Sequence, residues 1–295
     1  MAEKILLDTD IGNDIDDAIA LTYLLCQEHC QLLGITTVTG ESNRRAAMAS
    51  AICRHLGRDD IPIHPGCEIP LFGPPRQTSA PQAEMLSEWS CRTDFALNSG
   101  VEFLRRTIRE NPNEVTLLAI GPLTNVATLF VIDPEIPSLL KRLVLMGGNF
   151  FTRMMGEWNT ICDPHATAIV FGAGHQSKPR EHVSFGLDVT TRCTLEKESC
   201  LDRFSCHALR PTRDFAEVFF RRHHQRIVFH DPLAAAGIFQ PALCNYLEGQ
   251  VTVSLDPATA GWTVFRELFE NAPHTVAHEV HAEAFMDHFF QTVGA

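Results

Sequence analysis

No two of the ten cysteines stand in a C-x-x-C pair, which removes zinc-ribbon and thioredoxin-like readings. No basic stripe interrupts a formal net charge of −12, so nucleic-acid phosphate is excluded as the main partner. No apolar run approaches the roughly 18 residues that would span a membrane, and no membrane partner is expected. The chain opens on a core-strand pattern at Lys4–Leu7, without the basic and apolar regions of a secretory leader. A cytoplasmic protein with reduced thiols is therefore expected, with cysteines such as Cys53 and Cys162 serving as core filler beside apolar neighbours. Internal repeats, low-complexity tracts and domain-separating linkers are also missing, so residues 1–295 are expected to form one domain.

What is present is an alternation of strand-like and helical patterns. Strands are predicted at Lys4–Leu7, Gln31–Val38, Val115–Ile120, Arg142–Met146, Val183–Leu187 and Gly249–Leu255. Helical spacing falls between them at Asp17–Glu28, Arg44–Leu56, Gly100–Glu110, Thr124–Asp133, Pro164–Phe171 and Phe215–Phe220. This order predicts an α/β fold with an open, mostly parallel sheet and helices on both faces. Leu71–Asp94 breaks the alternation with Gly73-Pro74-Pro75 and Ser79-Ala80-Pro81 and is expected to be an irregular loop or lid near the ligand edge.

The densest chemistry lies in I-L-L-D-T-D-I-G-N-D-I-D-D-A, which carries Asp8, Asp10, Asp14, Asp16 and Asp17. These acids fall where the first strand hands over to the first helix, the carboxyl edge at which open α/β sheets bind ligands. Helix N-termini favour Asp, which accounts for Asp16 and Asp17 but not for Asp8 and Asp10. Carboxylates so crowded repel one another unless a hard divalent cation sits among them, so the run predicts a metal site.

Later segments add polar groups at other strand ends. Gly121-Pro122-Leu123-Thr124-Asn125 follows V-T-L-L-A-I, where a backbone carbonyl can ligate a hard cation. Gly147-Gly148-Asn149 closes R-L-V-L-M, and Glu157-Trp158-Asn159 precedes Asp163-Pro164, which reads as a helix cap. His230-Asp231-Pro232 opens an apolar helix. Asp231 there is either a cap with Pro232 in the first turn, or a metal carboxylate beside a general acid.

Together these segments resemble the nucleoside hydrolase family, the inosine–uridine-preferring N-ribohydrolases. The carriers, in family order, are D-T-D-I-G-N-D-I-D-D-A at 8–18, T-T-V-T-G-E at 36–41, G-P-L-T-N at 121–125, L-M-G-G at 145–148, E-W-N at 157–159 and H-D-P at 230–232. The resemblance implies a Rossmann-like fold and Ca²⁺ held by Asp10, Asp17, the Ile120 carbonyl and Asp231, with Asp8 in support. It also implies that Asp10 takes a proton from the attacking water and that His230 protonates the leaving base. Asp16 and Asn159 would bind ribose hydroxyls, with Glu157 on the 5′ side, in a homodimer or homotetramer acting on a nucleoside or other ribosyl compound.

The chain departs from the family pattern in three places. Two extra residues in Asn13-Asp14-Ile15 leave Asp14 as the alternative to Asp16 at the sugar. Glu41 stands where the family offers Asn toward the sugar, and is a further candidate for a hydroxyl contact. The H-G-x-x-G-x-G loop is missing from Gly73–Trp89. Phe219, Phe220, His223, His224 and Phe229 are candidates for the base pocket by proximity to His230, with Arg221 and Arg222 beside them. Two rivals remain: a Mg²⁺-dependent phosphatase of haloacid-dehalogenase type, whose nucleophile would be Asp8, and a calcium-holding family member that binds without turnover.

Overall fold

The computed structural model describes residues 2–152, 156–173, 179–222 and 225–295. Chain order runs β1 (Glu3–Thr9), α1 (Asp16–Cys26), β2 (Cys30–Thr37), α2 (Ser42–His55), β3 (Ile63–Pro65), a 3-10 stretch at Pro81–Glu88, α3 (Gly100–Glu110), β4 (Val115–Ala119), α4 (Thr124–Ile132), α5 (Ile136–Leu139) and β5 (Arg142–Met146). Next come α6 (Trp158–Cys162), α7 (Pro164–Gly172), β6 (Glu181–Phe185), α8 (Leu187–Thr190), β7 (Thr194–Glu196), α9 (Lys197–Arg203) and α10 (Arg210–Arg221). The chain closes through β8 (Arg226–Val228), α11 (His230–Phe239), β9 (Cys244–Val253), β10 (Thr263–Glu267), β11 (His274–Val280) and α12 (Ala282–Val293).

Nine strands form one sheet in the order β10-β9-β11-β6-β5-β4-β1-β2-β3, and β7 pairs with β8 apart from it. From β3 across to β11 every neighbouring pair is parallel. Only β9 runs against its neighbours. The α/β class and mostly parallel sheet expected from the sequence are what the chain adopts. All ten cysteines are free, with Cys53 and Cys162 buried. No helix among the described residues is long and apolar enough to cross a membrane.

Strand periodicity explains the two covered faces. Ile5 and Leu7 of β1 and Leu118 of β4 pack into one cluster with Leu21 of α1, Met48 of α2, Leu233 of α11 and Phe289 of α12. Leu6 and Leu117 point the other way, against Phe103 of α3, Leu129 of α4 and Val170 of α7. Each such buried side chain contributes about 1.5–3 kcal/mol. A one-residue slip of β1 would exchange both sets at once, which fixes its register.

That register positions the site. β2 and β3 lie to one side of β1, and β4, β5 and β6 to the other. Chain direction across the sheet therefore reverses between β1 and β4, which opens a crevice at their carboxyl ends.

Candidate active site

The crevice is a cleft of about 540 Å³ lined by Asp10, Asp14, Asp16, Asp17, Ile120, Glu157, Asn159, His230 and Asp231, together with Asn13, Gln77, Trp158, Phe219 and Arg222 among others. The structure thus gathers nine of the eleven sequence-selected site residues, from the ends of β1 and β4, the β1–α1 turn and the starts of α1, α6 and α11. Asp8 and Glu41 stand outside it.

Asp8 ends up behind the cleft because it is still within β1. Its Oδ1 accepts from Thr36 Oγ1 at 2.5 Å and Asn125 Nδ2 at 2.7 Å, and burial pushes its carboxyl up to about 7. It supports the loops from below rather than facing a ligand. Glu41 is turned away by its backbone, which takes a left-handed φ of 60° at the start of α2. Its carboxylate accepts from Ala80 N at 2.7 Å and pairs with Arg44 at 3.0 Å. Glu41 thus holds a loop, and it is not among the residues that line the cleft.

Asp16 and Asp17 begin α1 with no side-chain cap before them. Together with Asp231 they form a buried group whose carboxylate oxygens lie within 4.8 Å of one another, close enough to hold a metal ion. Asp231 is not a cap: α11 starts at His230, and Asp231 sits in its first turn, its backbone N–H donating to Asp16 Oδ2 at 3.2 Å. Burial first, and then repulsion from neighbouring acids (Asp14 and Asp17 on Asp16, Asp10 on Asp17, Asp16 and Asp17 on Asp231), raises all three well above the usual carboxylate range. Thr9 Oγ1 donates to Asp17 Oδ1 at 2.5 Å. Asp14 is exposed at the mouth, its Oδ1 held by the Ile15 N–H at 2.7 Å.

Asp10 lies just past β1, where Gly121 lets β4's loop come close. A Cβ on Gly121 would stand 2.7 Å from Asp10 Oδ1. Asp10 is raised by burial, against the opposing pull of Arg45 and a hydrogen bond from Gln77 Nε2 at 2.7 Å. Gly12, at φ +123°, makes the turn that carries the chain on to Asp14, and a Cβ there would meet Ala80 at 2.9 Å.

Opposite stand α6 and α11. Glu157 caps α6, its carboxylate accepting from the backbone N–H groups of Asn159 (2.8 Å), Thr160 (3.0 Å) and Gly148 (3.1 Å); burial still carries it up to about 7. Asn159 Nδ2 donates to the Ile120 carbonyl at 2.8 Å and to Met146 O at 3.2 Å. Asp163 caps α7, as its place before Pro164 implied. His230 Nδ1 is 2.7 Å from Thr190 Oγ1, and burial lowers its pKa to about 4.

Of the base-pocket candidates, Phe219 and Arg222 line the cleft, whereas Phe220 and Phe229 are buried in the core. Arg221 pairs instead with Glu84 at 2.5 Å. His223 and His224 lie outside the described residues. Three residues were given no role from the sequence: Gln77, Arg45, and Trp158 within its E-W-N run. Arg45 had a signal, since it shares a helical stripe with Met48, Ala49 and Ile52. Gln77 had none.

The 71–94 segment is irregular apart from its 3-10 stretch, and residues 77–82 form a fixed wall of the cleft. The Gln77 carbonyl accepts from Gly40 N (3.3 Å) and Thr39 Oγ1 (3.1 Å). Gln82 N donates to Gly12 O at 3.1 Å, and Gln82 Nε2 to Asp14 O at 3.0 Å.

A family model, inosine-uridine preferring nucleoside hydrolase, matches residues 5–287. Uridine nucleosidase 1 of Arabidopsis thaliana is 29% identical over 286 residues, covering 89% of this chain and 81% of its own. The pyrimidine-specific ribonucleoside hydrolase RihA of Escherichia coli is 31% identical over 326 residues, covering 97% of each chain. In fold, the plant nucleoside hydrolase PpNRh1 superposes with a TM-score of 0.83 at 23% identity, over 100% of both chains. A purine-preferring ribonucleoside hydrolase from Gardnerella vaginalis also scores 0.83 at 23% identity, over 99% of this chain and 98% of its own. The chain belongs to the inosine-uridine preferring nucleoside hydrolase family. It is an enzyme of the N-glycosyl hydrolase class.

Proposed function

We propose that the protein hydrolyses the N-glycosidic bond of ribonucleosides with the aid of Ca²⁺, giving free base and ribose. The observation that carries this reading is the ring of buried acids at the switch-point cleft, facing a histidine across a volume suited to a nucleoside. The donor set fits calcium: Asp10, Asp17, Asp231 and the Ile120 carbonyl all offer hard oxygens, and calcium accepts six to eight of them. When bound, the ion supplies positive charge to the acids and Lewis acidity toward water and the sugar hydroxyls.

The chain's own residues do the rest. Asp10 takes the proton of the attacking water. Asp16 and Asn159 orient the ribose hydroxyls, Asp14 borders the mouth, and Glu157 lies on the 5′ side. The carboxylates stabilise the oxocarbenium-like charge that develops at the anomeric carbon. Burial holds the pKa of His230 down at about 4, so in the metal-free protein the neutral ring is favoured at pH 7. The proton donor is the imidazolium form: with Nδ1 placed against Thr190 Oγ1, it gives its Nε2 proton to the departing base as the bond breaks and returns to the neutral ring. The phosphatase alternative fails on geometry, because its nucleophile would be Asp8, which is buried outside the cleft.

The test is ribose release across a nucleoside panel with calcium present. Uridine and cytidine head it, because the relatives above are named for uridine and pyrimidine. Release from one or more nucleosides is expected. Calcium binding with silence across the panel would turn the reading toward binding without turnover. A homodimer or homotetramer and a cytoplasmic location complete the proposal.

A second expected result concerns the ion. In the metal-free protein the raised carboxyls of Asp16, Asp17 and Asp231 keep protons that the unfolded chain gives up above its ordinary value of 3.8. The folded state thus binds more protons, and metal-free stability falls as pH rises from that value through the raised ones. Calcium takes the protons' place. Its stabilisation, read as the rise in Tm over a chelator-treated sample, is expected to be larger at pH 7.5 than at pH 5. Equal shifts at both pH values, or none, would refute calcium binding by this cluster.

A further inference from the structure

Gln77 projects from the wall formed by residues 77–82 to the bottom of the cleft, where it is almost wholly buried. Its Nε2 donates to Asp10 Oδ2 at 2.7 Å, and its Oε1 accepts from the Trp158 indole Nε1–H at 2.7 Å. Asn13 Nδ2 lies 3.5 Å from the same Oε1. An indole N–H only donates and an ionised carboxylate only accepts, so just one orientation of the amide satisfies both neighbours. The backbone leaves it little freedom, because the Gln77 carbonyl is bonded to Thr39 and Gly40 and the adjoining Ser79 carbonyl accepts from Arg45.

We propose that Gln77 is a positioning residue: its amide, oriented by Trp158, holds the Asp10 carboxylate in the attitude needed to receive a proton from the attacking water. The proposal rests on the reading of Asp10 given above. Gln77 and Trp158 belong to segments far apart in the chain, and nothing in the β1–α1 acid run hints at either. Through them the wall and the E-W-N segment both bear on one carboxylate. A carboxylate free to rotate about its last bond would spend much of its time with the receiving oxygen misdirected. A fixed donor on the other oxygen removes that freedom before substrate arrives.

Gln77→Glu, which keeps length but places an acceptor against an acceptor, and Gln77→Ala are expected to lower kcat roughly 10- to 100-fold, as loss of one hydrogen bond to a charged group implies. KM should change little, because the sugar contacts are untouched. Trp158→Phe, which keeps the ring but frees the amide to turn, is expected to lose less than Gln77→Ala, again in kcat. An unchanged kcat in Gln77→Ala, or a loss confined to KM, would overturn the proposal.

A second readout does not depend on turnover. In ¹H–¹⁵N spectra the Trp158 indole N–H resonance should shift on Asp10→Asn when Gln77 is present and stay put on Asp10→Asn in a Gln77→Ala background. Equal shifts in both backgrounds would refute the link even if the protein released no ribose at all. Silence of the wild type on the nucleoside panel, with the coupled shift intact, would count against the functional reading and leave the link standing.

Discussion

Asp10→Ala is expected to lower kcat/KM for ribose release by about 10²- to 10⁴-fold, the range over which a general base contributes. The residue is placed for that task by three independent features. It sits immediately after β1, on the cleft side of the turn, whereas Asp8 two residues earlier is sealed beneath it. Gly121 gives its carboxylate room that no side chain would allow. Arg45 and Gln77 favour its ionised form against a burial that disfavours it. None of the other cleft acids shares this setting: Glu157 is engaged with three backbone N–H groups, and Asp16, Asp17 and Asp231 face one another. Asp10→Asn should be nearly as damaging, since the amide keeps the shape but cannot take the proton. Because Asp10 is also a proposed calcium ligand, the variants are to be assayed at saturating calcium, with calcium-induced thermal shifts recorded alongside. Near-normal hydrolysis by Asp10→Ala would sink the mechanism.

The sheet's central strands were legible because burial on both faces writes continuous apolar runs into them: K-I-L-L, V-T-L-L-A and R-L-V-L-M all became strands. β10 and β11 were not, because β10 lies at the sheet's edge and β11 interleaves His274, Thr275, His278 and Glu279 with its apolar residues. β3, three residues long, is too short to show a period. At the site, five acids crowded into the ten residues Asp8–Asp17 marked the cleft, and the H-D-P run marked its far side. What the sequence could not show was how neighbours in the chain are divided in space. Asp8 and Asp10 differ by two residues yet lie on opposite sides of a seal, and Glu41 is turned outward by a left-handed backbone. Gln77 comes from a stretch without periodicity, so only the folded chain reveals that it meets Asp10.

Arg45→Met should cost about 3–5 kcal/mol of stability, the penalty for removing one partner from a buried charged network. The side chain is fully buried, and it gives its N–H groups to backbone carbonyls alone: Nε to Gly40 at 2.8 Å, Nη2 to Ser79 at 2.9 Å, and Nη1 to Ile11 at 3.0 Å and to Asp10. These carbonyls belong to three loops, the β1–α1 turn, the β2–α2 turn and the 77–82 wall. One planar guanidinium thus ties the three loops to one another. Asp10 and Asp17 supply negative charge beside it, which opposes the tendency of burial to neutralise it. Methionine fills similar volume but leaves the buried carbonyls of Asp10, Ile11 and Gly40, and the part-buried one of Ser79, without this donor and the acids without this cation. For a chain of this size each kcal/mol moves Tm by roughly 2–4 °C, so a fall on the order of 10 °C is expected. Lysine should not restore it, because a point-like ammonium lacks the planar fork that spans these acceptors. Arg44→Met is the control: the salt bridge of Arg44 with Glu41 is half-exposed, and such pairs contribute about 1 kcal/mol or less. A Tm for Arg45→Met within about 2 °C of wild type would mean that the three loops hold their places without the clamp.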